Sequence, residues 1–160
     1  KLLHKDMNQW KKVRVPLTRM APTAKATTFT PNVNKAVYTD MAYVKAHAKD
    51  ANVKLIDART PEEFNGTSDN PVSPGHIPGA ININYTDVLT ATESFKSKAD
   101  IEALASKHGI SANNEIIVYC KTSVRGAVLF AAFTDILGYK NVKVYDGALA
   151  EWETKNEVVK

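Results

Sequence analysis

Glu115-Ile116-Ile117-Val118-Tyr119-Cys120-Lys121-Thr122-Ser123-Val124-Arg125-Gly126 decides the fold. The stretch from Glu115 to Tyr119 is the strongest strand signal in the chain, and Gly126 to Leu137 reads as a strongly apolar helix stopped by Gly138. A strand that hands over to a buried helix through so short a turn is half of a βα unit. In an open sheet built from such units, ligands gather beyond the carboxyl ends of the strands. Cys120 sits at that end. The amides between Cys120 and the helix lack helical acceptors, so they can turn inward as an anion-binding nest.

The same alternation continues on either side. Thr39 is a plausible N-cap for a helix from Asp40 to about Lys49, with Met41, Val44 and Ala48 on one face. Val53 to Ile56 forms a short strand ending at Asp57, and Thr60-Pro61-Glu62-Glu63 opens a helix with Thr60 as cap, Pro61 in the first position and Glu63 completing a capping box. Asn65 to Gly79 is rich in Gly, Pro, Asn and Ser and reads as a long loop. Ala80 to Asn84 alternates as a half-buried strand, and a helix covers Ser97 to Lys107 with Gly109 as its stop. Val142 to Tyr145 is a last strand and Ala148 to Glu153 a last short helix. Together these give an α/β class with a mostly parallel central sheet of about five strands and helices on both faces.

The net charge of +4 is unevenly spread. Residues 1 to 35 carry eight Lys/Arg and one acid, Asp6, whereas the remainder holds 13 basic and 16 acidic residues. The organisation is therefore a basic extension over 1–35 and a domain over 36–160. A basic arm can bind nucleic acid. Pro16, Pro22 and Pro31 interrupt this one and no aromatic platform accompanies it, so a solvated linker is the reading and nucleic acid is not an expected partner. No run approaches the ~20 apolar residues of a membrane span, so no membrane partner is expected either. The four histidines show no ligand spacing, and neither a metal nor another cofactor is expected.

The chemistry rests on the one cysteine. A lone Cys is most often a small buried hydrophobe. Lys121 and Arg125 beside Cys120 would be odd company for inert packing. A helix N-terminus stabilises an anion by about 0.3–1 kcal/mol and at most about 2. That falls short of what an ordinary thiol needs to ionise fully at neutral pH, so amide hydrogen bonds and the two cations would supply the rest.

Four stretches, in order, resemble the rhodanese family. Leu55-Ile56-Asp57-Ala58-Arg59 with Thr60-Pro61-Glu62-Glu63-Phe64 is similar to its first signature, and Gly75-His76-Ile77-Pro78-Gly79-Ala80 to its second. Ile117-Val118-Tyr119-Cys120 with the following loop resembles the active site, and Tyr145-Asp146-Gly147 with Trp152 the C-terminal pattern. The resemblance implies a sulfurtransferase that works in two half-reactions. Cys120 takes a sulfane sulfur from a small anionic donor such as thiosulfate and passes it, from a persulfide, to a thiophilic acceptor such as cyanide or a thiol. It implies that the loop backbone of Lys121, Thr122, Ser123, Val124, Arg125 and Gly126 cradles the persulfide, with the Lys121 and Arg125 side chains holding the donor. Asp57 and Arg59 are expected to tie loops together, and His76 to shape a turn rather than act as a base.

Two positions depart from the family's pattern. Ser123 stands where thiosulfate- and mercaptopyruvate-type members carry Gly, which adds strain if the position needs a positive φ. Glu63 stands where those members place an anion-binding arginine, which leaves the donor open; Lys121 beside the nucleophile favours thiosulfate, with 3-mercaptopyruvate as the alternative. Phosphatases on a related fold have five residues between Cys and Arg; here Lys121 to Val124 make four, which favours sulfur. Modules that only bind or regulate partners typically lose the Cys or the cationic loop, and both are retained. Asn8-Gln9-Trp10 with Val15-Pro16-Leu17 faintly echoes Ala150-Glu151-Trp152 with Val158-Val159, so residues 1–35 are expected to be the tail and linker of a preceding rhodanese domain. A catalytic thiol in need of protection from oxidation points to the cytoplasm, or to the periplasm if a signal peptide precedes Lys1.

Overall fold

In the computed structural model, residues 7–14, 16, 18–32, 34–69 and 75–160 are described. The elements in chain order are α1 (Met7–Lys12), β1 (Tyr38–Thr39), α2 (Met41–His47), β2 (Val53–Asp57), α3 (Pro61–Phe64), β3 (Ile81–Asn82), a 3-10 turn (Tyr85–Val88), α4 (Lys98–Lys107), β4 (Glu115–Tyr119), α5 (Val124–Ala131) running into a π-helical turn (Ala132–Ile136), β5 (Val142–Tyr145) and α6 (Ala148–Trp152). The five strands form one sheet in the order β1-β5-β4-β2-β3, and every pairing is parallel.

Side-chain alternation along β4 divides the core into two layers. Ile116, Val118 and Cys120 face one way, into a cluster with Ile56, Ala58, Ile101, Ala105, Leu129 and Phe133 under α4 and α5. Ile117 and Tyr119 face the other way, joining Leu55, Val44, Ala48, Leu149 and Trp152 under α2 and α6. A strand buried on both faces reads as an uninterrupted apolar run, as Glu115-Ile116-Ile117-Val118-Tyr119 does.

Local chemistry sets the element ends. Thr60 Oγ1 accepts from the Glu63 amide while Glu63 Oε2 accepts from the Thr60 amide, which closes the capping box predicted from sequence. Ser97 caps α4, and Gly109 ends it at φ +64°.

Three expectations shift. The cap of α2 is Asp40, not Thr39, because Thr39 belongs to an edge strand that pairs with Tyr145. The predicted strand Ala80–Asn84 shrinks to Ile81–Asn82, where the Asn82 side chain donates to the carbonyls of Asp57 and Arg59. The helix expected from Gly126 begins earlier, at Val124, and its last turn widens so that the Leu137 amide reaches the Ala132 carbonyl at 3.1 Å. Part of the loop Asn65–Gly79, residues 70–74, lies outside the described residues.

In the basic extension, Met7–Lys12 forms a short helix whose Gln9 side chain donates to the Thr92 carbonyl at 3.3 Å, and residues 18–32 are exposed. Among the described residues no helix is long and apolar enough to cross a membrane.

Candidate active site

β4 delivers Cys120 to the carboxyl edge of the sheet, where the side chain is 1% exposed. Two contacts hold the loop beyond it from outside. The Leu149 amide donates to the Cys120 carbonyl at 3.0 Å and the Ala150 amide to the Lys121 carbonyl at 3.1 Å, so the first turn of α6 takes up the outward carbonyls. The amides from Lys121 to Gly126 engage no carbonyl among the described residues. They are the unpaired donors of a helix start.

Ser123 adopts the left-handed conformation, φ 61°, directly before α5. Its hydroxyl does not cap the helix; it donates instead to the Tyr145 carbonyl at the end of β5. Gly126 packs against the β4 backbone so closely that a Cβ would lie 3.2 Å from Tyr119 Cα. The strand, the loop and the helix are thereby fixed to one another at Cys120.

Each loop cation is paired with a carboxylate. Arg125 Nη1 and Nη2 donate to Glu63 Oε2 and Oε1 at 2.6 and 2.9 Å, and Lys121 Nζ donates to Glu153 Oε1 at 2.5 Å. The hydrogen bonds from Arg125 carry the Glu63 carboxyl down to about 2, against some opposition from burial. In return the Glu63 carboxylate raises the Arg125 guanidinium above its already high value, and the neighbouring Cys120 adds to this. The structure brings Lys121 and Arg125, the two side chains expected to hold the donor, each against a carboxylate. Thr122 and Val124 are exposed.

The supporting residues Asp57 and Arg59 lie at and just beyond the end of β2. Arg59 and Asp57 are both fully buried and joined by hydrogen bonds of 2.6–3.1 Å, and Arg59 Nη2 also donates to the Gly75 carbonyl at 2.6 Å. This ties the strand end to the second signature. His76 stacks on Phe64 at 3.6 Å, its Nδ1 lies 2.9 Å from the Phe64 carbonyl, and its backbone exchanges hydrogen bonds with Val159. His76 is thus engaged in loop structure. Among the described residues no group of His, Cys, Asp and Glu could hold a metal ion. A cleft of about 450 Å³ lies beside α5, lined in part by Tyr85, Leu89, Phe95 and Val128, which pack on the same apolar cluster as Cys120.

Sequence reasoning missed the partners of the cations. Glu63 looked complete as the far end of a capping box, and nothing local links it to Arg125, 62 positions on. Glu153 gave no signal at all.

A family profile described as "Rhodanese-like domain" matches residues 40–155. The chain belongs to this family. A rhodanese-like domain accounts for both the all-parallel sheet and the placement of Cys120 at its edge. Among curated relatives, a thiosulfate sulfurtransferase of Corynebacterium glutamicum is 36% identical over 106 residues, covering 61% of this chain and 35% of that protein. A putative thiosulfate sulfurtransferase of Mycobacterium leprae is 31% identical over 163 residues, covering 95% of this chain and 57% of its own length. The rhodanese-like chain therefore spans little more than half of the longer match. Among solved structures, the 3-mercaptopyruvate sulfotransferase SseA of Escherichia coli superposes with a TM-score of 0.76 at 27% identity, over 89% of this chain and 53% of that one.

Proposed function

We propose that this rhodanese-like domain is a thiosulfate sulfurtransferase that carries sulfur on Cys120. The observation that carries the reading is the loop itself: a cysteine at a strand end, followed by amides from Lys121 to Gly126 that engage no carbonyl among the described residues, with the outward carbonyls tied to α6. In the first half-reaction the Cys120 thiolate attacks the outer sulfur of thiosulfate. The sulfur–sulfur bond of the donor breaks and sulfite leaves with the electron pair. The persulfide that remains carries its negative charge on the terminal sulfur, where the ring of amides can stabilise it without reorganising. In the second half-reaction the acceptor, cyanide or a thiolate, attacks that terminal sulfur and the Cys120 thiolate departs. Splitting the transfer in this way replaces one difficult encounter with two easier ones.

A second donor, 3-mercaptopyruvate, is favoured by the likeness to SseA and by the pairing of both loop cations, which weakens the pull on a dianion. The spacing of four residues between Cys120 and Arg125 supports sulfur over phosphoryl chemistry. We also read residues 1–35 as a linker from a preceding domain, on the faint echo of Ala150-Glu151-Trp152 in Asn8-Gln9-Trp10.

The test is intact mass after incubation with thiosulfate, for wild type and Cys120→Ser, followed by cyanide. Gain of one sulfur atom in wild type alone, removed by cyanide, is the expected result. If wild type gains sulfur only from 3-mercaptopyruvate, the second donor replaces the first. Equal gain in Cys120→Ser would remove Cys120 from the mechanism.

A further inference from the structure

Among the described residues, the charged side chains paired around the loop cancel. Glu63 reaches from α3 to take both Nη groups of Arg125, at 2.6 and 2.9 Å, and the pair is largely shielded, with side chains 13% and 28% exposed. The carboxylate is aimed from its own helix as well, since Oε2 accepts from the Thr60 amide at 3.2 Å. On the other flank Glu153 takes Lys121. Behind the loop, Asp57 and Arg59 form a buried pair that is also neutral in sum. Near Cys120, then, two cations meet two carboxylates, and the uncompensated attraction for an anion comes from backbone amides.

We propose that Glu63 is a specificity-determining residue for the sulfur donor: by holding Arg125 beside Cys120 it makes the site rank donors by charge, favouring a monoanionic sulfane-sulfur donor, such as an organic thiosulfonate, over dianionic thiosulfate. The inference rests on sulfur transfer through Cys120. It concerns only which donors load that residue well. The chemistry of loading is the same for both donor classes. With methanethiosulfonate the Cys120 thiolate bonds to the outer sulfur, the donor's sulfur–sulfur bond breaks, and methanesulfinate leaves with the electron pair. With thiosulfate the leaving group is sulfite. Neither step needs an oxidant, a reductant or a third reactant. The two donors present the same transferable atom on an oxidised sulfur centre, and they differ by one negative charge.

That difference makes the effect measurable. The work done by a fixed charge on a bound ligand scales with the ligand's charge, so removing one negative charge shifts the logarithm of affinity twice as far for a dianion as for a monoanion. Glu63→Gln removes that charge while keeping a side chain suited to the capping box. For this variant we expect kcat/KM for sulfur loading to rise about 10-fold with thiosulfate and roughly 3-fold with methanethiosulfonate, the gap narrowing as salt screens it. Glu153→Gln, on the opposite flank, should shift the two donors in the same order, which keeps the test independent of the stability of either variant. Loading is followed by intact mass and initial rates, with both donors on wild type and both variants. Equal changes for the two donors, or a fall with thiosulfate, would overturn the inference and leave Glu63 as a residue that merely positions Arg125. A wild-type protein that loads from neither donor would instead defeat the sulfur-transfer reading on which the inference stands.

Discussion

Replacing Ser123 by glycine and by alanine should reverse the usual order of these two residues. Ser123 is 7% exposed, sits at φ 61°, and donates its hydroxyl proton to the carbonyl of the fully buried Tyr145. Two opposed contributions meet there. A left-handed conformation costs a non-glycine residue on the order of 1–2 kcal/mol. The hydrogen bond returns about 0.5–1.5 kcal/mol, and taking the donor away from a buried acceptor costs about 1–3 kcal/mol. Ser123→Gly loses the bond but relieves the backbone, at a further cost of about 0.5–1 kcal/mol for the freedom glycine gains when unfolded. Its stability should fall within about 1 kcal/mol of wild type once these contributions offset one another. Ser123→Ala keeps the strain and loses the bond, so, once the added unfolded-state freedom of glycine is deducted, it should be less stable than the glycine variant by roughly 0.5–1 kcal/mol. With a urea slope near 2 kcal/mol/M, the unfolding midpoints should differ by roughly 0.25–0.5 M, glycine higher. Equilibrium unfolding followed by far-UV circular dichroism reads this directly. An alanine variant as stable as the glycine variant would refute the account of strain at this position.

Two further predictions concern the ion pairs. Arg59→Met leaves the Asp57 carboxylate buried without its cation and releases the Gly75 carbonyl, and should cost about 3–5 kcal/mol in urea unfolding, part of which the double variant Asp57→Asn/Arg59→Met recovers. A loss below about 1 kcal/mol would show that water reaches the site. Glu63 titrates near 2 when folded, against an ordinary value of 4.5, so its contribution is complete above 4.5 and is lost as pH falls from there towards 2. Wild type should therefore shed up to about 3 kcal/mol across that window relative to Glu63→Gln, whose side chain does not titrate; parallel stability curves for the two proteins would contradict the pairing with Arg125.

Wherever interactions are local, the sequence was sufficient. The capping box at Thr60 and Glu63 spans one helical turn, so its donors and acceptors are fixed by backbone geometry and can be read from four letters. The strand Glu115–Tyr119 was equally plain, because a strand buried on both faces must be apolar throughout. The strand at Tyr38–Thr39 was missed because two residues carry no periodicity; only the partner strand β5 makes them a strand. The widened last turn after α5 escaped for a related reason, since Phe133 and Leu137 suit an α-helix as well as a π-turn and the packing at Tyr139 selects between them.

At the site the division is sharper. The chain order alone placed Cys120 at the end of a strand, because a strand, a short loop and an apolar helix can be arranged in few other ways; that the strand is the central one came from the sheet order. Comparison with the rhodanese-family pattern also flagged Ser123 and Glu63 as departures. What those two residues do was decided by tertiary structure: Ser123 reaches β5 rather than its own helix, and Glu63 meets Arg125 across 62 positions of chain. Charge is visible in a sequence, but whether a charge is available to a ligand depends on which opposite charge the fold brings beside it. Sequence determined where the nucleophile stands; only the packing of α3 and α6 against the loop decided that its cations are already paired.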